Sequence, residues 1–206
     1  MKIYALLPDY DRAAPQPYLV ADSALVTRSK PLFLPEWDDD FRTVPALAFR
    51  IGKLGKTVAR RFASRYFDGV APALLTFGAS SLASLRRRGE PLQSALSFDG
   101  AVVAGTFLNP REAGEVRFSF YKASGAEAEA EIEVKAAPGE AAETAALLLE
   151  QISARNLMRN GDLLLIPLSD EPFPTTLHTT VTAFDSSIPE GDLSAPRRPE
   201  LLCRIK

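Results

Sequence analysis

Residues 46–77 read ALAFRIGKLGKTVARRFASRYFDGVAPALLTF, and this stretch decides the fold prediction. ALAFRI at its start and VAPALLTF at its end each predict a strand, and GKLGK predicts a turn. Between the strands, Val58, Phe62 and Tyr66 lie four positions apart, which predicts an amphipathic helix over residues 57–67 with arginines on its other face. The stretch therefore predicts a strand–helix–strand unit.

The rest of the chain predicts mainly strands with two further helices. Prolines between residues 12 and 46 favour short edge strands and turns. Residues 126–135 alternate small or apolar residues with charged ones, which predicts a half-buried strand, although an Ala-Glu repeat also favours helix. Together these patterns predict an α+β, mostly β fold. The other predicted strands cover 2–7, 101–108, 116–122, 163–168, 177–184 and 201–205, and the other helices cover 80–88 and 140–155.

Length and composition set broad limits on the protein. A chain of 206 residues fits a single domain, 1–206, in which we expect residues 1–40 to form a small N-terminal portion packed on the core. Cys203 is the only cysteine, so no internal disulfide forms. The net charge of −2 gives no general attraction to nucleic acid or anionic membranes. No signal peptide and no apolar run of about 20 residues is evident, so we expect a cytoplasmic protein.

Residues 46–77 resemble the fumarylacetoacetate hydrolase (FAH) family, in which a strand ending "ELVVRIGRLGK" precedes "AxRFAxRYYD" and a strand leading to an aspartate. The resemblance implies an FAH-type mixed β-roll, a β-barrel-like core with a few peripheral helices, and usually a homodimer. It also implies metal-dependent cleavage or decarboxylation of small β-diketo or 2-oxo acids through a metal-stabilised enolate. Further segments match the family in the same order: KIYALL, ADSALV with PLFLPEW, SFDGAVVAGTFL, QISARNLMRNGDLLLIPL and LLCRIK.

The positions that match the family's three metal ligands carry no oxygen. The family's Glu-x-Glu falls on Val44 and Ala46, and its aspartate falls on Leu75. Mg²⁺ requires a shell of oxygen ligands, which a hydrocarbon cannot provide. The nearest side-chain oxygens belong to Thr43 and Thr76. The resemblance therefore implies that the metal site is lost and that the protein holds no cofactor.

Other functional positions of the family are also replaced. The stretch that matches the N-terminal lid, PDYDRAAPQ, contains no histidine, and two expected lysines fall near Val20 and on Leu96. The family's "TGTP" turn reads IPLS over 166–169. These departures predict a pseudoenzyme that has lost hydrolase or decarboxylase activity. Such a protein would act as a binding or regulatory subunit, with an active paralogue as one partner.

An enzyme that reuses the pocket without a metal is the alternative hypothesis. It would be a C–C hydrolase, decarboxylase or isomerase of a small 2-oxo or β-diketo acid. Asp9, Tyr10 and Asp22 are its candidate acid–base residues. Arg42 is the candidate for holding an anionic substrate. This hypothesis predicts a polar, concave pocket in which at least two of these groups converge. A pocket filled by apolar residues would contradict it: Val20, Val44, Leu75 and Leu96.

The remaining reactive residues have simpler interpretations. His178, the only histidine, is either a lone general base or an exposed strand residue, and the second is favoured. Cys203 lies in an apolar strand, which indicates a buried thiol. Residues 38–40 are three aspartates, which favour a solvated turn over a cation site. Ser80 and Ser81 lack a GxSxG motif, which argues against a serine hydrolase.

Charge is unevenly distributed along the chain. Residues 50–90 carry nine basic residues against Asp68 and Glu90, whereas residues 127–150 carry seven glutamates against Lys135. The basic region could bind an anion or nucleic acid. We expect no exposed aromatic residue within it, and the acidic region balances it. Charge complementarity between subunits is therefore the favoured interpretation over nucleic acid.

Overall fold

The computed structural model describes residues 1–27, 30–110, 117–124, 134–136, 138–186 and 198–206. Its strands are β1 (Ile3–Ala5), β2 (Tyr18–Val20), β3 (Leu25–Thr27), β4 (Phe41–Ile51), β5 (Phe67–Gly78), β6 (Val102–Ala104), β7 (Phe118–Ser124), β8 (Val134–Ala136), β9 (Leu163–Pro167), β10 (Phe173–Pro174), β11 (Thr179–Asp185) and β12 (Leu201–Arg204). Its α-helices are α1 (Ala79–Arg88), α2 (Gln93–Leu96) and α3 (Pro138–Arg155), and Asp22–Ala24 and Arg60–Arg65 form 3₁₀ helices.

The larger sheet is a curled one. Its described strands follow the order β2-β1-β9-β4-β5-β6-β3, and β10 also pairs with β4. In a flat sheet the edge strands β2 and β3 would lie about 29 Å apart. Yet only residues 21–24 connect them, and such a link spans no more than about 18 Å. The short link therefore requires the sheet to curl into a roll.

The main hydrophobic core lies on the outer face of this roll. The smaller sheet, ordered β12-β11-β7-β8 among the described residues, contributes to it together with α3 and the outer faces of β4, β5 and β9. The helix predicted over 140–155 is confirmed as α3, whose buried residues Ala145, Leu148, Leu149 and Ile152 pack into this core. A bridge from Leu32 to Ile205 ties the N-terminal segment to the last strand. The largest fully buried side chains of this core include Phe118, Phe120, Leu47, Leu74, Leu148 and Leu149.

A second core fills the interior of the roll, and it consists mostly of small side chains. Alanines contribute half of its fourteen buried members, since a tightly curled sheet leaves little room between its strands. The alanines are Ala5, Ala24, Ala46, Ala48, Ala71, Ala73 and Ala101, and the larger residues are Ile3, Val20, Val44, Leu75, Val102, Leu163 and Leu165.

Most of the predicted elements are confirmed, and β4 is longer than predicted. The strand begins at Phe41 instead of residue 46 and passes through Pro45. The amide of Leu168 donates to the carbonyl of Pro45 (2.9 Å), and the registered pairing of β4 with β9 begins only at Ala46. Pro45 therefore sits where the ladder to β9 ends, so its missing N–H costs no ladder hydrogen bond.

The predicted helix over residues 57–67 is wrong. Only a 3₁₀ helix, Arg60–Arg65, forms there, and Thr57 has a positive φ of 52°. The amides of Val58 and Arg60 donate to side chains of α3, at 2.8 Å to Ser153 Oγ and 2.9 Å to Glu150 Oε1. Ala59 is also extended, with φ of −72° and ψ of 140°, so the backbone at Thr57 and Ala59 cannot be part of an α-helix.

The predicted strand over 126–135 falls mainly outside the described residues. Val134–Ala136 pairs with β7 as an antiparallel strand, and residues 126–133 are not described. In the described ranges, no helix has the length and apolar character needed to cross a membrane.

Candidate functional site

The three positions that match the metal ligands lie together on one face of the sheet. Val44 is directly opposite Leu75, and Ala46 is opposite Ala73 in the antiparallel pairing of β4 with β5. Because side chains alternate along a strand, Val44, Ala46 and Leu75 all point into the roll interior. Their exposed fractions are 0%, 0% and 1%. The fold thus gathers the three positions, and the side chains that meet there are hydrocarbons.

The two threonines adjacent to these positions do not supply the missing oxygens. Thr43 is opposite Thr76, and both lie on the other face of the sheet from Val44. The Thr43 hydroxyl is hydrogen bonded to that of Thr76 (2.8 Å) and to that of Thr175 (2.7 Å). The three hydroxyls form a buried hydrogen-bonded chain in which each hydroxyl has a partner, on the face of the sheet directed away from the roll interior.

The donor set does not fit a divalent ion. Mg²⁺ and Mn²⁺ favour carboxylate, carbonyl and water oxygens, whereas the fourteen buried members of the cluster in the roll interior are all aliphatic. Across the ranges that the structure describes, no three His, Cys, Asp or Glu side chains are grouped so that they could hold a metal ion. We therefore derive no reaction step through a metal at Val44, Ala46 and Leu75.

Apolar residues also occupy the positions that match the family's lysines. Val20 is buried in the roll interior with Val44 and Leu75. Leu96 is buried in a neighbouring cluster with residues of α1 and β5. Three aromatic rings, those of Trp37, Phe41 and Phe98, pack edge to face with centroids 5.0 to 5.6 Å apart. Phe98 also packs against the roll interior.

An open cleft of about 700 Å³ lies elsewhere, between the N-terminal segment, the start of α3 and the end of β9. Asp9 and Tyr10 both line it, so the structure brings two of the four acid–base and substrate candidates together. Residues 166–169, the stretch that matches the family's "TGTP" turn, line the opposite side. The lining residues are Pro8, Asp9, Tyr10, Arg12, Gly139, Glu140, Ala141, Ile166, Pro167, Leu168, Ser169 and Asp170.

The charges in this cleft are largely paired. The Asp9 carboxylate accepts two hydrogen bonds from Arg86, at 2.9 and 3.1 Å. The hydrogen bond from Arg86 lowers the pKa of Asp9, which makes it a weaker base. Arg12 pairs with Glu140 at the start of α3. Sequence reasoning did not assign Glu140 or Asp170 to this site, because nothing local in the chain places them beside residues 8–12.

The other two candidates lie outside the cleft. Asp22 is 63% exposed at its side chain and lies 3.7 Å from the amino terminus of the chain. Arg42 donates to Asp40 at 2.6 Å, so its guanidinium is already engaged by a carboxylate. Neither residue faces Asp9 or Tyr10 across the cleft.

The aspartates of residues 38–40 have separate structural partners. Asp38 accepts from the amides of Asp40 (2.9 Å) and Ser81 (2.7 Å), and the second bond caps α1. Asp39 accepts from the Ser80 hydroxyl at 2.8 Å. Because each carboxylate serves a different group, this segment is a helix-capping turn.

The single histidine and the single cysteine occupy contrasting positions. His178 is exposed in a turn with φ of 63°, just before β11, instead of on a strand face as predicted. Its amide donates to the Ile205 carbonyl at 2.9 Å. Cys203 is fully buried, and this burial raises the pKa of its thiol to about 11. The structure therefore confirms that the cysteine is buried.

The expectation about aromatic residues in the basic region is wrong. The Phe62 side chain is 38% exposed, between Arg61 and Arg65. Its predicted burial depended on the helix over 57–67, which does not form. Ala63 is buried in its place.

Comparison with known proteins gives matches only in three-dimensional structure. No protein-family model and no curated protein sequence matches the chain. Fumarylpyruvate hydrolase from Pseudomonas aeruginosa, solved with Mn²⁺ and pyruvate, matches with a TM-score of 0.79 and 15% identity over 100% of this chain and 89% of that chain. A protein assigned to the fumarylacetoacetate hydrolase family from Yersinia pestis CO92 matches with a TM-score of 0.80 and 18% identity, over 100% of this chain and 92% of that chain.

The chain has the FAH fold. The fold implied by the sequence resemblance is therefore confirmed, as are the mixed β-roll and the few peripheral helices. The FAH-fold neighbours are hydrolases and isomerases. A further example is 5-carboxymethyl-2-hydroxymuconate delta-isomerase from Mycobacterium smegmatis, with a TM-score of 0.75 and 16% identity over 99% of this chain and 78% of that chain.

Proposed function

We propose that this protein is a degenerate member of the FAH family that functions without a metal, as a binding or regulatory subunit. One observation carries the proposal: the positions of the three metal ligands, which face one another across β4 and β5, are filled by the buried side chains of Val44, Ala46 and Leu75. Enolate chemistry on a metal requires oxygen ligands at such a site. The burial of Val20 in the same interior also supports it.

The proposal includes an assembly and a location. The protein forms a homodimer in the cytoplasm, as a single domain over residues 1–206 in which residues 1–40 pack on the roll. An active paralogue of the same fold is the expected partner, because a retained fold without chemistry preserves the surfaces through which subunits associate. Membranes and nucleic acid are not its partners under this proposal.

The deciding experiment measures metal binding by the wild-type protein. We expect no stoichiometric Mg²⁺ or Mn²⁺ by elemental analysis, and no rise in melting temperature on titration with either ion. If the protein binds the ion, a free ion concentration of one hundred times the Kd stabilises the folded state by about 2.7 kcal/mol, which a thermal melt detects readily. Such a rise would overturn the proposal.

A variant with carboxylates restored provides the positive control. The triple variant Val44→Glu, Ala46→Glu, Leu75→Asp should be less stable than the wild type without an ion, because its carboxylates repel one another in a buried site. Added Mn²⁺ should restore part of that stability. If the triple variant folds and does not respond to Mn²⁺, our assignment of the three ligand positions is wrong.

The alternative, an active metal-free enzyme, is supported by the cleft that Asp9 and Tyr10 share. In this case Tyr10 would move the proton, and Asp9, held by Arg86, would remain ionised and orient the substrate. Glu140, Arg12 and Asp9 make the cleft polar. A small 2-oxo or β-diketo acid would be the substrate of this C–C hydrolase, decarboxylase or isomerase.

An assay in the presence of a chelator tests this alternative. It predicts that turnover of a 2-oxo acid continues in the presence of the chelator and is lost in Tyr10→Phe. The control variant Asp99→Asn, at an exposed position away from the cleft, should keep the wild-type activity. Turnover that is abolished by the chelator would contradict both functions, because each of them excludes a metal.

A further inference from the structure

One end of the molecule presents a surface that combines positive charge with exposed apolar side chains. It is formed by the loop before the 3₁₀ helix Arg60–Arg65, by that helix and by the segment that follows α3. All its members are exposed. We call it the basic surface, and its residues are Lys53, Leu54, Lys56, Arg61, Phe62, Arg65 and Leu157.

Backbone contacts make this surface continuous, although its residues lie up to 104 positions apart in sequence. Gly55 and Met158 exchange two backbone hydrogen bonds, at 3.0 and 2.8 Å. This antiparallel bridge places Lys56 opposite Leu157 and Leu54 opposite Arg159. The Lys56 ammonium donates to the carbonyl of Arg155 at 2.7 Å, at the end of α3.

Aromatic rings hold the cations of this surface in place. The guanidinium carbons of Arg61 and Arg65 lie 4.8 and 5.0 Å from the centroid of the Phe62 ring. The Lys53 ammonium lies 4.4 Å from the centroid of the Tyr66 ring. A cation that is already ordered over a ring loses less freedom when it binds a partner.

Three cations of the basic surface have no carboxylate partner within the described ranges. Among the ion pairs formed within the described ranges, none involves Lys53, Lys56 or Arg61. Two acidic residues of neighbouring elements have other partners: Asp68 pairs with Arg50 (2.7 Å), and Glu150 accepts from the Arg60 amide. The surface therefore fits an anionic partner that also offers small apolar groups.

The chain itself contains a segment of that chemistry. Residues 126–133 read AEAEAEIE, so glutamate occurs at every second position and alternates with alanine or isoleucine. Carboxylates on alternate residues of an extended peptide are about 7 Å apart on one side. We propose that the basic surface docks residues 126–133 of a second copy of this chain. A nucleic acid fits less well, because the Phe62 and Tyr66 rings are covered by the protein's own cations and cannot stack on bases.

Charge reversal on each side tests this docking. One variant carries Lys53→Glu, Lys56→Glu and Arg61→Glu, and the other carries Glu127→Lys, Glu129→Lys and Glu131→Lys. Sedimentation velocity at low salt should show that each variant alone self-associates about tenfold more weakly than the wild type. A mixture of the two variants should associate again, because each reversed surface then meets a reversed segment.

Controls separate this result from misfolding and from general charge effects. Lys30→Glu, Arg87→Glu and Arg204→Glu change the charge by the same amount at exposed positions outside the basic surface, and this variant should associate as the wild type does. Circular dichroism melts verify that each variant is folded. Raised salt should weaken the wild-type association.

Three outcomes would overturn the docking. They are self-association that neither reversal changes, two folded variants that fail to associate when mixed, and a wild-type protein that is monomeric at low salt but binds single-stranded oligonucleotide or anionic vesicles through the basic surface. The inference does not depend on the loss of the metal site, so its failure leaves the metal-free proposal standing, and the metal titration tests that proposal separately.

Discussion

Val44 lies directly opposite Leu75 in the antiparallel pairing of β4 with β5, and both side chains are buried in the roll interior. Strand pairing of this kind would bring two carboxylates within reach of one ion if the residues were acidic. With hydrocarbons there, the same geometry produces a close-packed contact. Replacement of charged ligands by apolar ones removes the repulsion that a metal-free site would otherwise contain.

Val44→Glu should be strongly destabilising, by about 3 kcal/mol or more, because a carboxyl group would enter an interior without hydrogen-bond partners. Burial raises the pKa of the introduced carboxyl above its unfolded value of about 4.3. The loss of stability should therefore grow as the pH rises from 5 to 8, since the unfolded chain ionises first.

Urea unfolding at pH 5 and pH 8 measures this effect. Leu177→Glu is the matched control, because Leu177 is 58% exposed and its substitution should change the unfolding free energy by less than about 0.5 kcal/mol. Equal stability of Val44→Glu and the wild type at pH 8 would show that the interior admits water or a cation.

Asp162 anchors the start of the chain. Its carboxylate is almost fully buried and accepts from the Lys2 amide (2.8 Å), the Lys2 ammonium (2.5 Å) and the Arg159 amide (2.9 Å). Asp162→Ala leaves these donors without their acceptor and should lower the unfolding free energy by about 2–4 kcal/mol.

Chemical denaturation of two further variants gives unfolding free energies with which the Asp162→Ala value can be compared. Lys2→Ala should lower the unfolding free energy by less than Asp162→Ala does, because the backbone amide of residue 2 still donates to Asp162. Asp22→Ala should cost about 0.5 kcal/mol or less, because the Asp22 side chain is largely exposed. If Asp162→Ala and Asp22→Ala were equally stable, β1 would not depend on this anchor.

Asp38 should contribute stability that depends on pH. Its partial burial raises the pKa, but hydrogen bonds from the Ser81 side chain and from the amides of Asp40, Ser81 and Ser80 outweigh this and lower the pKa of Asp38. A lowered folded pKa means that the contribution is present above the unfolded pKa, near 4, and is lost as the pH falls through the folded pKa.

Asp38→Ala should therefore cost about 0.5–2 kcal/mol at neutral pH, as for other losses of a helix cap, and progressively less in acid. Thermal melts between pH 2 and pH 7 give this difference. Asp39→Ala, which removes only an exposed bond to the Ser80 hydroxyl, should be closer to the wild type across the range. A difference that is constant with pH would contradict the assigned role of the Asp38 carboxylate.

Cys203 should be inert in the folded protein. Its thiol is buried, its pKa is raised to about 11, and only the thiolate reacts with alkylating agents. Incubation with iodoacetamide at pH 8 should leave the native protein unmodified and label it fully in denaturing urea, as read by mass spectrometry. Ser169→Cys, at the edge of the cleft, should be labelled in the native state and shows that the reagent is active.

Local patterns predicted most of the elements but not their termini or their caps. The helix predicted over 140–155 and the strand predicted over 177–184 both form, as α3 and β11, and their buried residues follow the helix and strand periods. The helix predicted over 57–67 does not form because Thr57 has a positive φ and Ala59 is extended, in a segment whose amides bond to Ser153 and Glu150, some 90 residues away. The cap of α1 by Asp38 was likewise hidden, since 43 residues separate the carboxylate from the Ser81 amide.

The sequence by itself determined what the roll interior cannot do. Between Arg42 and Ala79 the only carboxylate is Asp68, so no shift of register supplies three acidic ligands, and ligand chemistry depends on residue type. Only the tertiary structure decided that Val44, Ala46 and Leu75 meet on one buried face, that Asp9 shares a cleft with Asp170, and that Lys56 lies opposite Leu157. Those relationships arise from sheet curling and from pairing between distant segments, which no local pattern in the chain encodes.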